Sequence, residues 1–186
     1  MRVVAGRFRG RPLQAPDDMK IRPTSDRVRE SVFNILAHGI EGFSLDGARV
    51  IDLFAGTGAL GIEAISRGAA YCLFVEDAPE ARALIRKNVE ALGLMGETRI
   101  FRRDAADLGP AGNMEPYRLA FLDPPYDKGL GQKALSGLAD GGWLTTGAIC
   151  ILEERAGTEV DIPPAFTLLD TRTYGDTEIR FLRFAA

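Results

Sequence analysis

The stretch Asp52–Gly61 reads DLFAGTGALG and contains three glycines. Glycine has no Cβ, so Gly56 and Gly58 allow the backbone to turn tightly and to come close to a ligand. The residues from Arg49 to Phe54 are typical of a buried strand, and those from about Ala59 to Arg67 are typical of a helix. The pattern therefore predicts a strand, a glycine-rich turn and a helix, which is the first unit of a doubly wound α/β domain.

Strand and helix patterns alternate along the rest of the chain. The predicted elements are strands at 71–76, 99–102, 117–123 and 148–153 and helices at 79–92 and 129–138. Segments 166–172 and 179–184 follow one another with only the turn-like 174–176 between them, so they should form an antiparallel hairpin. The sequence therefore predicts a mostly parallel sheet closed by a C-terminal antiparallel hairpin.

Composition limits the class of protein. With 186 residues, 46% of them hydrophobic, the chain has room for one globular domain. It has no run of 18 apolar residues and no signal-peptide core, so we expect a cytoplasmic protein that does not enter a membrane. Cys72 and Cys150 lie far apart inside apolar runs, which predicts buried free thiols. One histidine, His38, and two remote cysteines are too few for a metal site, so none is predicted.

The N-terminal segment is basic. Residues 1–29 carry eight basic and three acidic side chains, a local +5, whereas the whole chain has a net charge of −3. Segments 2–5 and 12–14 predict a hairpin around a glycine-rich turn, and Thr24, Ser25 or Asp26 can cap a helix that ends at Gly39. We therefore divide the chain into a basic extension, 1–22, and a main domain, 23–186. A polyanion-binding arm and a merely solvated hairpin both explain the charge.

Glu76 indicates an adenosine-containing cofactor. It closes the second predicted strand, twenty residues after Gly56, where its carboxylate can accept hydrogen bonds from ribose hydroxyls. The turn also matches the G-x-G-x-x-G pattern of dinucleotide-binding proteins. Asp52, however, would repel a pyrophosphate, whereas it can help to hold the ammonium group of a methionine moiety. The pattern favours S-adenosyl-L-methionine over NAD.

Further residues are predicted to contact the cofactor. Asp104 follows the third strand, where its carboxylate can accept from an adenine amino group while the next amide, that of Ala105, meets the ring nitrogens. Phe54 and Asp77 adjoin the turn and Glu76, and we assign them to the same site. A helix cap or a solvated loop acid is the alternative role for Asp104.

The tetrapeptide Asp123–Tyr126, DPPY, closes the fourth strand. Pro124 and Pro125 fix their own φ and hold Asp123 extended, which makes its oxygens rigid acceptors. Such acceptors can take the N–H groups of an exocyclic base amine and aim its lone pair at a methyl donor, while Tyr126 stacks on the base. The base must be unpaired or flipped out. A structural turn is the alternative, but the strand-end position favours catalysis.

These ordered motifs look like those of amino-directed methyltransferases. The segments Gly6–Arg11, GRFRGR, and Arg22–Asn34, RPTSDRVRESVFN, narrow the likeness further, and the chain resembles the RsmD family over nearly its whole length. The resemblance implies a Rossmann-like class I S-adenosylmethionine-dependent fold with seven strands. It also implies transfer of a methyl group to the N2 amine of a guanine in 16S ribosomal RNA, by a monomer acting on an assembled small-subunit particle.

The resemblance implies that Gly56, Gly58, Glu76 and Asp104 line the cofactor and that Asp123–Tyr126 lie at the amine. We assign Asp123 to the cofactor site as well. The basic segment is predicted to bind RNA through six residues: Arg7, Arg9, Arg11, Arg22, Thr24 and Arg27. Three alternatives stay open: a DNA or RNA adenine-N6 methyltransferase, an NAD-dependent oxidoreductase and a non-catalytic RNA-binding module. The tetrapeptide alone does not separate guanine from adenine.

Overall fold

The computed structural model describes residues 1–17 and 25–185. Its strands are β1 (Arg49–Leu53), β2 (Tyr71–Val75), β3 (Thr98–Phe101), β4 (Tyr117–Leu122), β5 (Leu144–Arg155), β6 (Phe166–Tyr174) and β7 (Thr177–Phe184). Within this part of the chain the α-helices are α1 (Asp26–His38), α2 (Ala59–Ser66), α3 (Pro79–Ala91) and α4 (Leu130–Asp140). A 3-10 helix covers Met95–Glu97.

The strands form one seven-stranded sheet in the order β3-β2-β1-β4-β5-β7-β6. Strands β1 to β5 are parallel, and β7 pairs antiparallel with both β5 and β6. The chain leaves β1 toward β3 on one side and returns to β4 on the other, so the strand order reverses between β1 and β4. The predicted doubly wound sheet and its C-terminal hairpin are confirmed.

The two faces of the sheet are buried under different helices. One face packs against α1, α2 and α3 through residues such as Val50, Phe74 and Phe121. The other packs against α4 and the segment after β3, through residues such as Ile51 and Leu122. Successive strand residues point to opposite faces, so both faces need apolar side chains, as the continuous apolar runs indicate.

Gly61 allows α2 to lie close against β2. A Cβ built on it would come within 2.5 Å of both the Cys72 sulfur and the Phe74 ring. The third glycine of the turn motif is therefore needed for helix-to-sheet packing. Cys72 and Cys150 are buried and free, as predicted.

The N-terminal segment docks on α2 and α3. The two expected hairpin strands pair only through one bridge, between Arg2 and Pro12. The amides of Val4 and Ala5 are not available for further pairing. Val4 and Ala5 donate at 2.8 and 3.0 Å to the buried carboxylate of Glu63 on α2. The hairpin is thus held to the domain by a side chain rather than by a longer ladder.

Glu63 also joins two arginines. Its carboxylate accepts from Arg67 at 2.8 Å and lies 4.0 Å from the guanidinium of Arg29, which is fully buried. Arg29 in turn donates to the carbonyl of Arg2 and to Asp26. This buried network ties the start of the chain to both α1 and α2.

The bounds of β5, β6, β7 and α4 differ from the predicted ones by two or more residues at one end or both. Strand β5 begins at Leu144 rather than at 148, although Gly147 has a φ of +84° and the β4–β5 register shifts there. Helix α4 ends at Asp140 instead of Leu138. Of the three candidate caps, Ser25 caps α1 by accepting from Val28.

The division at residue 22 stays a prediction, because Arg22 and Thr24 lie outside the described residues. No helix in the described ranges is long and apolar enough to cross a membrane.

Replacing Glu63 with alanine should lower the free energy of unfolding by about 3–5 kcal/mol, because it leaves the Val4 and Ala5 amides without their acceptor and removes a buried carboxylate beside the Arg29 and Arg67 charges. Glu97→Ala is the matched control, since it removes the exposed ion pair between Arg7 and Glu97. We expect the control to cost less than about 1 kcal/mol. Urea unfolding measures both values, and equal small losses would contradict the role given to Glu63.

Candidate active site

The reversal of strand order places the ends of four strands at one edge of the sheet. In parallel strands the carboxyl ends share an edge, and a crevice forms there at the point of reversal. Along this edge, in the order of strands β3, β2, β1 and β4, lie Asp104, Glu76, the turn at Gly56 and Asp123. The four predicted site segments are therefore brought together.

Glu76 holds the glycine-rich turn in place. One carboxylate oxygen accepts from the Gly56 amide at 2.9 Å, and the other accepts from the amides of Asp77 and Ala78 at 2.9 and 3.0 Å. The turn needs left-handed backbone at Phe54, Gly56 and Gly58, with φ of +57°, +59° and +79°. Glu76 is half-buried and a carboxylate has about four acceptor positions, so it can still accept from a ribose hydroxyl.

Asp52 lies beneath the turn rather than in the open crevice. Its side chain is 1% exposed, and one oxygen accepts from the Gly61 amide at 3.1 Å. Burial raises the pKa of Asp52 well above its usual value. The contact predicted between Asp52 and a methionine ammonium group stays a prediction, and the structure adds a role in holding the first turn of α2.

The remaining predicted cofactor residues lie on either side of Glu76. Asp104 is exposed and accepts from the Ala106 amide at 2.9 Å, while Ala105 is buried. Asp77 is exposed, and its carbonyl accepts from Arg82. Phe54 is half-buried at the turn. This arrangement fits an adenosine cofactor such as S-adenosyl-L-methionine. Gly56 and Gly58 leave room at the turn, and Glu76 and Asp104 offer carboxyl oxygens as acceptors.

Asp123 joins β4 to its neighbours on both sides. Its amide donates to the carbonyl of Leu53 at 3.4 Å, and its carboxyl group is hydrogen-bonded to Glu153, near the end of β5. Burial and the Glu153 carboxyl group raise the pKa of Asp123 well above its usual value. Asp123 therefore keeps its proton at a pH where an isolated aspartate has lost it.

The rest of the tetrapeptide forms the rim of the crevice. Pro124 is buried and Pro125 is exposed. The Tyr126 hydroxyl is hydrogen-bonded to Thr177 at 2.9 Å, and the Arg155 guanidinium lies 5.3 Å from the ring centroid. Burial raises the pKa of Tyr126, so the phenol stays neutral. The tyrosine is thus fixed by the β6–β7 hairpin, with its ring available for stacking only on the side away from Arg155.

The arginines of the N-terminal hairpin lie toward the opposite edge. The Arg7 amide donates to Ser66, the last residue of α2, and its guanidinium pairs with Glu97 before β3. Arg11 donates to Ala91, the last residue of α3. Helices α2 and α3 run back from the carboxyl edge, so their last residues mark the far edge. Arg9 is exposed beside them.

Arg27 instead lies in a groove between α1 and β6. The groove has a volume of about 490 Å³, and its polar lining includes Asn34, His38 and Arg172. Ser31 of α1 is hydrogen-bonded to the hydroxyl of Tyr174, at the hairpin turn beside Tyr126 and Thr177. This groove therefore begins beside the reactive edge.

Two charged residues of this region are absent from the sequence predictions. Glu153 closes a buried apolar run in the same way as Asp123, so the strand-end rule could have found it. Arg172 carries no such signal, because its position depends on how the hairpin packs beside α1. In residues 1–17 and 25–185, no three His, Cys, Asp or Glu side chains are grouped as a metal site.

Comparison with known proteins agrees with this geometry. The family model described as conserved hypothetical protein 95 matches residues 1–183. Ribosomal RNA small subunit methyltransferase D of Escherichia coli K12 is 38% identical over 167 residues, which are 89% of this chain and 80% of the relative. The Haemophilus influenzae protein of the same name is 32% identical over 182 residues, 97% of this chain and 92% of the relative.

Solved structures share the fold. The Escherichia coli protein yhhF superposes with a TM-score of 0.84 at 31% identity, covering 100% of this chain and 98% of that one. An RNA methyltransferase from Salinibacter ruber, in complex with S-adenosyl-L-homocysteine, gives a TM-score of 0.66 at 16% identity, covering 88% and 94%, and shows the fold alone. The chain therefore belongs to the conserved hypothetical protein 95 family, the RsmD family that its motifs predict.

Proposed function

We propose that this protein transfers a methyl group from S-adenosyl-L-methionine to the N2 amine of a guanine in 16S ribosomal RNA. The observation that carries the proposal is the position of Asp123–Tyr126, which ends β4 directly beside the glycine-rich turn that ends β1. The relatives named ribosomal RNA small subunit methyltransferase D support the substrate class.

Two parts of the crevice would bind two different parts of the cofactor. Gly56, Gly58 and Glu76 would hold the ribose side, and Asp104 with Ala105 the adenine. The cofactor supplies a methyl carbon bonded to a positively charged sulfur. The Asp123 carboxyl group at the β4 end would face that sulfur, and its oxygens would favour the approach of a cationic sulfonium.

Asp123 would receive the target amine. An exocyclic base amine is a weak nucleophile because its lone pair is delocalised into the ring, and an acceptor for its N–H bonds localises that pair. Tyr126, fixed through Thr177, would stack on the base. The base has to leave its helix to reach this recess.

The RNA would contact two separate surfaces. The groove of Arg27 and Arg172 adjoins the reactive edge, whereas Arg7, Arg9 and Arg11 lie beyond the length of α2, roughly 12 Å for eight residues. This separation supports a folded substrate larger than one loop, such as an assembled small subunit. One copy of the chain supplies every residue of the proposed site, which supports action as a monomer.

The test is incubation with labelled methyl donor and small subunits that lack the modification, alongside free 16S RNA. We expect label on one guanine N2, identified by nuclease digestion and mass spectrometry, with faster labelling of the subunits. Label on an adenine would establish the adenine-N6 alternative, which the tetrapeptide also suits. RNA binding without label would leave a non-catalytic module, and NAD binding would favour an oxidoreductase.

Glu76→Ala should weaken cofactor binding roughly ten- to a hundredfold, or about 1.5–3 kcal/mol, because it removes the ribose acceptor and frees the Gly56 amide. Glu80→Ala, an exposed acid in the first turn of α3, is the control and should bind normally. Calorimetry with S-adenosyl-L-methionine measures both. Equal affinities in the two variants would remove Glu76 from the cofactor site.

Arg27→Ala with Arg172→Ala should weaken binding of both a short target RNA and the whole subunit, because this groove adjoins the reactive edge. Arg7, Arg9 and Arg11, replaced together, should weaken binding of the large substrate only. Each arginine that no longer binds a phosphate lowers the log–log salt slope by about 0.7–0.9. Filter binding at several salt concentrations separates the two surfaces, and unchanged slopes in the triple variant would make the hairpin a solvated edge.

Asp123→Ala should reduce single-turnover methylation about a hundredfold or more, because the amine loses its acceptor. Asp123→Asn should keep measurable activity, since its amide oxygen can accept from the amine while its NH₂ group donates to Glu153. Cofactor binding should persist in both. Asparagine as inactive as alanine would show that proton removal by Asp123 limits the rate, and wild-type rates for alanine would exclude Asp123 from the mechanism.

A further inference from the structure

Glu153 lies beside Asp123 because of the register between β4 and β5. Leu122 pairs with Leu152 in this parallel ladder, so the next residue of each chain segment, Asp123 and Glu153, point to the same side of the sheet. Their carboxyl groups are hydrogen-bonded, and both side chains are half-buried. Two hydrogen-bonded carboxyl groups need a proton between them, because neither group can otherwise donate.

The surroundings keep that proton in place. The charged groups that face Asp123 from the neighbouring strands are further acids, Asp52 from β1 and Glu154 from β5. Arg155, the first basic residue after Glu153 in the sequence, pairs with Asp127 at 2.9 Å and lies over the Tyr126 ring. Burial and these like charges disfavour ionisation of Asp123 and raise its pKa.

We propose that Glu153 is a positioning residue for the methyl transfer: it shares one proton with Asp123 and thereby fixes which Asp123 oxygen faces the target amine. The inference rests on the proposed function and adds a residue to it. The shared proton joins one oxygen of Asp123 to the Glu153 carboxyl group. The other Asp123 oxygen then faces the crevice and can accept from the amine. The pair as a whole has a single negative charge.

This arrangement also accounts for the amine proton. The bond between the amine nitrogen and the methyl carbon forms as the bond from that carbon to sulfur breaks, and the sulfur keeps the electron pair. The nitrogen becomes positively charged and gives one proton to the free oxygen of the pair, which becomes neutral. The pair returns that proton to solvent after the product leaves, so the charge and the atoms balance.

Carboxyl carbon NMR of the free protein tests the shared proton without any substrate. With labelled Asp and Glu side chains, we expect Asp123 and Glu153 to titrate together in two separated steps, since a coupled pair gives macroscopic pKa values. In Glu153→Gln, Asp123 should titrate in one step. Independent single-step titration of Asp123 and Glu153 in the wild type would overturn the proposal.

Single-turnover rates across pH test the positioning role. The glutamine amide donates to Asp123 at every pH, so Glu153→Gln should stay within about threefold of wild type at neutral pH and should lack the fall at high pH that the wild type shows when the pair loses its proton. Glu153→Ala should fall at least about tenfold, because no donor fixes Asp123. Rescue by glutamine but not by alanine distinguishes a donor from a space-filling side chain.

Glu154→Gln is the matched control. It removes the same charge from the next residue of β5, whose buried side chain accepts from the backbone of Asp127 and Arg155 instead of contacting the amine site. We expect its pH profile to keep the high-pH fall. Loss of that fall in both glutamine variants would assign the effect to general charge and overturn the role of Glu153, as would wild-type turnover by Glu153→Ala.

Melting temperatures and cofactor affinity of each variant show whether it is folded. If the wild type methylates no RNA, the proposed function fails, whatever the NMR titration gives. If the wild type methylates RNA and glutamine and alanine at residue 153 behave alike, only the role of Glu153 fails.

Discussion

The arrangement of the reactive edge depends on one carboxylate. Glu76 accepts three backbone hydrogen bonds, and its acceptors join the end of β1 to the start of α3. A charged acceptor is needed there because the turn at Gly56 presents amides that no helix or strand pairs. The left-handed backbone at Phe54 would cost a free residue about 1–3 kcal/mol, and this fixed turn maintains it. The crevice therefore has its shape before any ligand enters.

The crevice is acidic, although its proposed substrate is a polyanion. Asp123 and Glu153 lie at the ends of β4 and β5, and Asp52 and Glu154 are buried beside them. Phosphates would be repelled at this position, whereas a neutral base and a cationic sulfonium would not. The arginines proposed to bind phosphates lie outside the crevice, in the groove beside α1 and on the N-terminal hairpin. Charge thus separates binding of the backbone from selection of the base, which agrees with phosphate contacts that position and base contacts that specify.

Sequence patterns predicted the strands, the turn and the strand-end acids, because each depends on local periodicity and on one general rule about parallel sheets. They did not predict the contact between Asp123 and Glu153, which depends on the register of two strands separated by α4. The buried state of Asp52 was also missed, since its bond to Gly61 needs the helix to fold back over the strand. The RNA-binding assignments rested on charge alone. These assignments grouped Arg7 and Arg11 with Arg27. In the structure, Arg7 and Arg11 pack at the opposite edge of the sheet.

The N-terminal segment is attached to Glu63 on α2 and, through the Gln14 amide, to Asn88 on α3. This attachment sets an order of events during synthesis. Residues 1–14 leave the ribosome before their partners on α2 and α3, which follow 59 and 74 residues later in the two hydrogen bonds. Until then Val3 and Leu13, both buried in the finished domain, have no core to join. Contacts so distant in sequence form slowly, because the intervening chain has to close a long loop. The basic segment is therefore made well before it can be fixed in place.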